Sequence, residues 1–172
     1  LALTPNDAPD TSCILEGLKT PAGQDLVQVT LDLPVPAGAH SFKFDFRFMS
    51  EEYPEYVGTA FNDAFLAEVG SSTFTIDATT ITAPNNVAFD ANHQRLTINT
   101  TGALGMSAAD ALGTTYDGGT TTLTTAAPLA DGAATLRLIF SVMDLGDSIY
   151  DTTVFIDNFR FDTGPVGEPD TQ

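Results

Sequence analysis

A single cysteine, Cys13, leaves no internal disulfide to form and excludes any multi-cysteine zinc site. Two histidines, His40 and His93, are too few without further thiols for a soft-ligand metal centre. Basic side chains are also scarce, six against 23 acidic ones, for a formal net charge of -17. Phosphate backbones and anionic lipid surfaces both demand basic contacts, so nucleic acid and the anionic membrane surface are poor partners. No run approaches the ~18 consecutive apolar residues that span a bilayer, so membrane insertion is not expected. An initiator Met and a signal segment are missing as well. Beginning at Leu1, the sequence reads as a module cut from a longer precursor.

What the chain does contain is a core. Hydrophobic residues make up 42% and charged residues 17%, which excludes charge-driven disorder and fits one domain of 172 residues. Phe42, Phe44, Phe46 and Phe48 alternate strictly with Ser41, Lys43, Asp45 and Arg47, the pattern of a half-buried strand. Further strands are expected over residues 24–33, 64–69, 72–77, 95–100, 120–125, 134–143 and 153–161, parted by Gly, Pro, Asn and Asp. No long apolar stripe of period 3.6 appears, and only residues 107–112 suggest one helical turn. The expected fold is therefore all-β, an antiparallel β-sandwich of jelly-roll-like type. Residues 1–162 form the module. Residues 163–172, rich in Pro, Gly and acid, read as a linker toward a following module, with residues 1–9 as a counterpart. Cys13 reads as an inert buried thiol and His93 as a solvated turn residue.

Two segments carry chemistry. Ser50-Glu-Glu-Tyr-Pro-Glu-Tyr-Val-Gly-Thr-Ala-Phe-Asn-Asp63 places Glu51, Glu52, Glu55 and Asp63 in one short loop with Tyr53 and Tyr56. Extended residues alternate faces, so only one of Glu51 and Glu52 points at any shared site, while Asn62 and Asp63 open the next strand. Met143-Asp-Leu-Gly-Asp-Ser-Ile-Tyr-Asp-Thr-Thr-Val-Phe-Ile-Asp157 holds Asp144, Asp147, Asp151 and Asp157 around Gly146. An aspartate within the apolar run that ends at Asp157 is costly to bury unless paired or metal-bound. With soft ligands excluded, carboxylate and amide oxygens converging from both segments would suit calcium. The EF-hand spacing is absent, and on chemistry alone a merely solvated acidic surface is an equal reading.

Phe-x-Phe-x-Phe-Met-Ser-Glu-Glu-Tyr-Pro-Glu-Tyr-Val-Gly-Thr-x-Phe-Asn-Asp, then Tyr116-Asp-Gly-Gly-Thr, then Asp144-x-x-Asp-Ser-x-Tyr-Asp-Thr-x-Val-Phe-Ile-Asp, resembles the choice-of-anchor L domains. These are bacterial extracellular modules found beside varied anchoring signals. The pattern is also similar to the peptide-binding modules of calcium-dependent RTX adhesins, which fold as β-sandwiches. The resemblance spans residues 42–161, with Thr152 where such proteins usually carry Ser. It implies that Glu51 or Glu52, Asn62, Asp63, Asp144, Asp147, Asp151 and Asp157 line one or more calcium sites. It also implies a location outside the cell, at the bacterial surface.

Tyr53, Tyr56, Tyr116 and Tyr150 either pack over the sandwich edge or form a recognition platform with Glu55 and Asp117. Asp117-Gly118-Gly119 is most simply a turn. Three functions follow. The first is a calcium-dependent adhesion module, monomeric within a larger chain, that binds a peptide end or a glycan on another cell surface. The second is a calcium-stiffened spacer. The third, a glycosidase built on Glu51, Glu52 and Glu55, is the weakest, because no nucleophile motif or activating histidine accompanies them.

Overall fold

The computed structural model describes residues 2–3, 23–77, 80–147 and 149–172. Cys13 and most of residues 1–9 lie outside the described residues. In chain order the elements are β1 (Ala2–Leu3), β2 (Gly23–Pro34), β3 (Ser41–Ser50), β4 (Ala64–Val69), β5 (Thr75–Asp77) and β6 (Thr80–Thr82). Then come β7 (Leu96–Thr97), α1 (Ile98–Leu104), β8 (Met106–Ser107), a 3-10 turn at Ala108–Ala111 and β9 (Gly118–Thr120). β10 (Leu123–Pro128), β11 (Thr135–Leu145), β12 (Thr152–Asp162) and β13 (Asp170–Thr171) complete the chain.

All strand pairings among the described residues are antiparallel. One sheet runs β1-β12-β3-β10-β13, with β9 joined to β3 and β8 to β9; the other runs β2-β11-β4-β7, and β5 and β6 form a small hairpin. The two larger sheets face each other as a sandwich. The four phenylalanines of β3 point inward and are almost fully buried. Phe44 meets Phe140 of β11 edge-on at 5.3 Å, Phe46 lies 5.4 Å from Phe65 of β4, and Phe65 stacks on Phe140 at 6.1 Å. Side chains of 150–250 Å² packed in this way dominate the energetics of the core.

Strands β4 and β11 are buried on both faces. Their outward residues Leu66, Met143 and Leu145 form a second cluster with Phe74, Ile81 and Ala83. This explains why both read as near-continuous apolar runs rather than alternating ones.

Several local expectations change. Residues 120–125 are not one strand: Gly118 and Gly119, expected as a turn, pair with β3 in β9, which ends at Thr120, and β10 starts at Leu123. Residues 95–100 are not one strand: Leu96–Thr97 pair with β4, and α1 starts at Ile98. Thr97 caps this helix by accepting from Thr100 N at 3.2 Å, and Asn62 Oδ1 accepts from Asn99 N at 2.8 Å. Caps supplied partly by another loop leave no periodicity to read in Ile-Asn-Thr-Thr-Gly-Ala-Leu. The tail does not simply lead away. β13 pairs with β10, the Thr171 hydroxyl lies 2.9 Å from that of Thr125, and Ser41 Oγ donates to Gly164 O at 2.7 Å.

Candidate functional site

Both acidic segments come to the same end of the sandwich. Residues 51–63 connect β3 to β4, and residues 146–151 connect β11 to β12. They are locked together by Asn62 N donating to Leu145 O at 3.1 Å and Glu51 N donating to Asp151 O at 3.0 Å. Gly146, at φ +105°, lies so close to Ala60 O and Phe61 that a Cβ would stand within 2.9 Å of both. That positive φ and that contact together require glycine.

Asp63 is the hub. It is fully buried, accepts from Leu145 N through Oδ1 at 3.0 Å and from Thr152 Oγ1 through Oδ2 at 2.6 Å, and the Thr152 hydroxyl also lies 2.8 Å from Ser50 Oγ. Ser50 Oγ in turn accepts from Glu52 N at 2.9 Å. The Asp144 carboxyl, 2% exposed, stands within hydrogen-bonding reach of Asp63. Glu52 is 1% exposed, and its Oε2 has no hydrogen-bond partner.

Burial pushes Glu52 up to about 8, helped by the charges of Asp63 and Asp147 and opposed by the Asp63 backbone N–H. Burial also pushes Asp63 up to about 7, against the hydrogen bonds from Thr152, Leu145 and Asp144 and with Asp147 adding to the rise. Among the described residues, the leading charges acting on these two groups are those of other carboxylates. Taking unpaired carboxylates out of water is expensive, and the cost shows as protonation, or as a cation when one is supplied.

The other expected residues are dispersed around this core. Glu51 and Glu52 do face apart: Glu52 points inward, while Glu51 is half-buried and accepts from Asp151 N at 3.4 Å. Asp147 and Asp151 are half-buried on the rim, and Glu55 is exposed. Asn62 is buried, but its Oδ1 is used to cap α1. Asp117 bonds to Ser50 O only through its backbone, and its side chain is exposed, as Tyr116 is in part. Asp157 does not join the cluster. On β12, Val154 and Ile156 are buried while Phe155 and Asp157 face out, so the segment alternates and the aspartate is never buried. Five residues beyond Thr152 along the strand, it stands roughly 16 Å from the hub. Asp157→Ala is therefore expected to change stability in urea by no more than about 0.5 kcal/mol and to leave calcium binding untouched. A loss of several kcal/mol would return it to the site.

The tyrosines divide. Tyr53 packs on the main core with its ring over Gly118, where an added Cβ would meet Cδ1 at 2.2 Å. Gly118→Ala must displace this ring and is expected to cost about 1–3 kcal/mol by urea denaturation; no loss would mean the ring moves freely. Half-buried Tyr56 and exposed Tyr150 instead pair with each other, centroids 5.6 Å apart, with Phe61 edge-on to Tyr56 at 5.2 Å. Thr152, whose hydroxyl donates to Asp63, and Ser50, which reaches Asp63 only through Thr152, are the residues that reading for metal ligands passes over. Their signal is a hydroxyl beside an acid in each acidic motif.

Among the described residues, no three His, Cys, Asp or Glu side chains are drawn into a closed metal cage. The buried donors present are nonetheless all oxygen, and Glu52 Oε2 lacks a partner, which suits a hard cation completed by further oxygens. The family model for the Choice-of-anchor L domain matches residues 8–162. No curated protein and no solved structure matches the chain.

Proposed function

The chain belongs to the choice-of-anchor L domain family, a domain type of surface proteins, and from that membership we propose that it is a calcium-dependent, non-catalytic binding module on the outside of a bacterial cell. Among the described residues no helix is long and apolar enough to cross a membrane. The observation that carries the reading is the meeting of Glu52, Asp63 and Asp144, each at most 2% exposed, with no basic side chain of the described residues among the leading influences on Glu52 or Asp63. Calcium held by these carboxylates, with Asp147 and Asp151 at the rim, supplies the missing positive charge and ties the two loops together. The same requirement motivates the likeness to calcium-dependent RTX adhesin modules.

The chain's own residues do the rest. Thr152 and the Leu145 N–H orient Asp63, and Gly146 lets the second loop close against Phe61. The Tyr56–Tyr150 surface beside them receives the ligand, a peptide or glycan of another cell surface. Carboxyl groups with raised pKa values also mark general acids. Glu52 and Asp63, however, are sealed from solvent and beyond the reach of a substrate, which speaks for binding rather than hydrolysis. That same burial favours a second reading, in which the ion only stiffens a spacer and Tyr56 and Tyr150 have no partner.

Titration calorimetry of chelator-stripped protein with calcium chloride tests the shared premise. Saturable binding is expected, and its absence at pH 8 would remove both readings. A ligand that binds only in calcium decides for the first reading over the second.

A further inference from the structure

Around Tyr56 and Tyr150 the chemistry is one-sided. Tyr150 is 41% exposed and its neighbour Ile149 64%. The Tyr56 hydroxyl is pushed up first by the charge of the adjacent Tyr150 phenol, then by burial and a hydrogen bond with Tyr150, and last by Asp147 and Glu55, so both carboxylates stand near the rings. Glu51, Glu55, Asp147 and Asp151 belong to the same two segments as the three buried acids, and one calcium ion would neutralise only two of these seven formal charges. Among the described residues, four of the five basic side chains are committed elsewhere. Lys43 pairs with Asp162, Arg137 with Asp32 and Arg160 with Asp45, while Arg47 bonds the backbone carbonyls of Thr120 and Asp110. The fifth, Arg95, is exposed and lines a hollow with Asn62, Gln94, Thr97 and Thr100.

We infer that Tyr56 and Tyr150 are the docking site of a basic peptide segment, whose Lys or Arg side chain lies on the ring faces inside a rim of carboxylates. This rests on the reading of the module as a calcium-bearing binder and names its ligand class. An aromatic face attracts a cation through its quadrupole, and guanidinium also stacks on it. Tyr53 offers less, because its ring is packed on the main core over Gly118. An acidic cleft raises the local concentration of cationic partners and repels anionic ones, so the protein's charge of -17 works in the same direction. A peptide presenting its terminal carboxylate would meet this rim with the wrong sign.

Three end-blocked dodecapeptides, of Arg, Lys, Gly and Ser, of the same design with Gln for each base, and with Glu for each base, serve as probes. They are titrated into the full chain in saturating calcium and followed by fluorescence anisotropy. A fourth, neutral peptide with a free C-terminus and a panel of neutral oligosaccharides complete the set. The basic peptide is expected to bind at least about tenfold tighter than any other probe and to weaken as salt rises from about 0.1 to 0.5 M. Tyr56→Ala and Tyr150→Ala should each lose about tenfold or more, while Tyr56→Phe and Tyr150→Phe, which keep the ring faces, retain binding. Equal or tighter binding of the Glu, Gln, free-carboxylate or sugar probes overturns the inference, as does failure of all probes. Basic binding unchanged in both alanine variants overturns it too, because charge alone then holds the peptide. Calcium calorimetry on the same samples separates the levels. Calcium bound without basic selectivity sinks this inference alone, whereas no calcium bound sinks the function on which it rests.

Discussion

Freed of divalent ions, the protein is expected to melt at a lower temperature at pH 8 than at pH 5.5, and calcium to abolish or reverse that order. The cause is the pair of buried carboxyls. Glu52 is pushed up to about 8 and Asp63 to about 7, both well above what the unfolded chain offers. A group whose folded pKa is raised binds its proton more tightly when folded. Its stabilisation is complete below the unfolded value near 4.5 and is lost as pH rises through the folded value. Between pH 5.5 and 8, Glu52 alone then accounts for about 3 kcal/mol at 1.36 kcal/mol per pH unit. At 2–4 °C per kcal/mol for a domain of this size, that is roughly 6–12 °C in Tm. Ordinary carboxylates are ionised throughout this window and contribute no slope.

Calcium acts on the opposite protonation state. It needs ionised oxygens, so its affinity rises where the metal-free protein weakens. At a hundredfold excess over Kd it adds about 2.7 kcal/mol, again roughly 5–11 °C. Scanning calorimetry in chelator and in calcium at both pH values reads all four numbers. A flat profile in chelator would mean the carboxyls are not held protonated. A calcium shift no larger at pH 8 than at pH 5.5 would mean the ion binds elsewhere.

How far such a site can be read from the chain alone depends on the range of the forces that built it. The alternation of Phe42, Phe44, Phe46 and Phe48 is local, and β3 occupies Ser41–Ser50 as the pattern demands. Period-two geometry likewise separates Glu51 from Glu52 without any tertiary knowledge. Asp157 belongs to the same rule, misapplied: taken as one apolar run, Val154-Phe155-Ile156 hides the exposure of Phe155, and with it the outward face of the aspartate. Helix α1 and strand β13 obey no local rule. Seven residues with two threonines and a glycine fold as a helix because Asn62 and Thr97 supply the caps. A tail of Pro, Gly and acid becomes an edge strand because β10 presents an open ladder and Thr171 meets Thr125. The separation between the hub and the rim is tertiary in the same sense. Eight oxygen-bearing residues look alike along the chain, and only packing decides that Glu52, Asp63 and Asp144 are sealed while Asp147 and Asp151 stay half open.

Asp63 offers the sharpest separation of charge from hydrogen bonding, because its two oxygens hold two buried donors, Leu145 N and Thr152 Oγ1, while no cation among the described residues is a leading influence on its charge. Asp63→Ala removes both acceptors and strands both donors. At about 1–3 kcal/mol for each buried unsatisfied group, the loss should reach ~3–5 kcal/mol in chelator, and in calcium most of the ion's contribution is lost as well. Asp63→Asn is expected to behave differently. Its amide oxygen still accepts from Leu145 N, its amide nitrogen can donate to the Thr152 hydroxyl, which turns its own proton to Ser50, and no buried charge remains. In chelator at pH 8 the Asn variant should therefore be more stable than the parent protein, which must ionise there. In calcium the order should invert, because the variant no longer offers the ion a carboxylate and loses most of the shift. Urea denaturation of the parent and both variants, with chelator and with calcium, reads the crossing directly. An Asn variant as weak as the Ala variant in chelator would show that geometry, not charge, governs the hub. An Asn variant that keeps the full calcium shift would remove Asp63 from the ion's shell and leave Glu52, Asp144 and the rim to hold it.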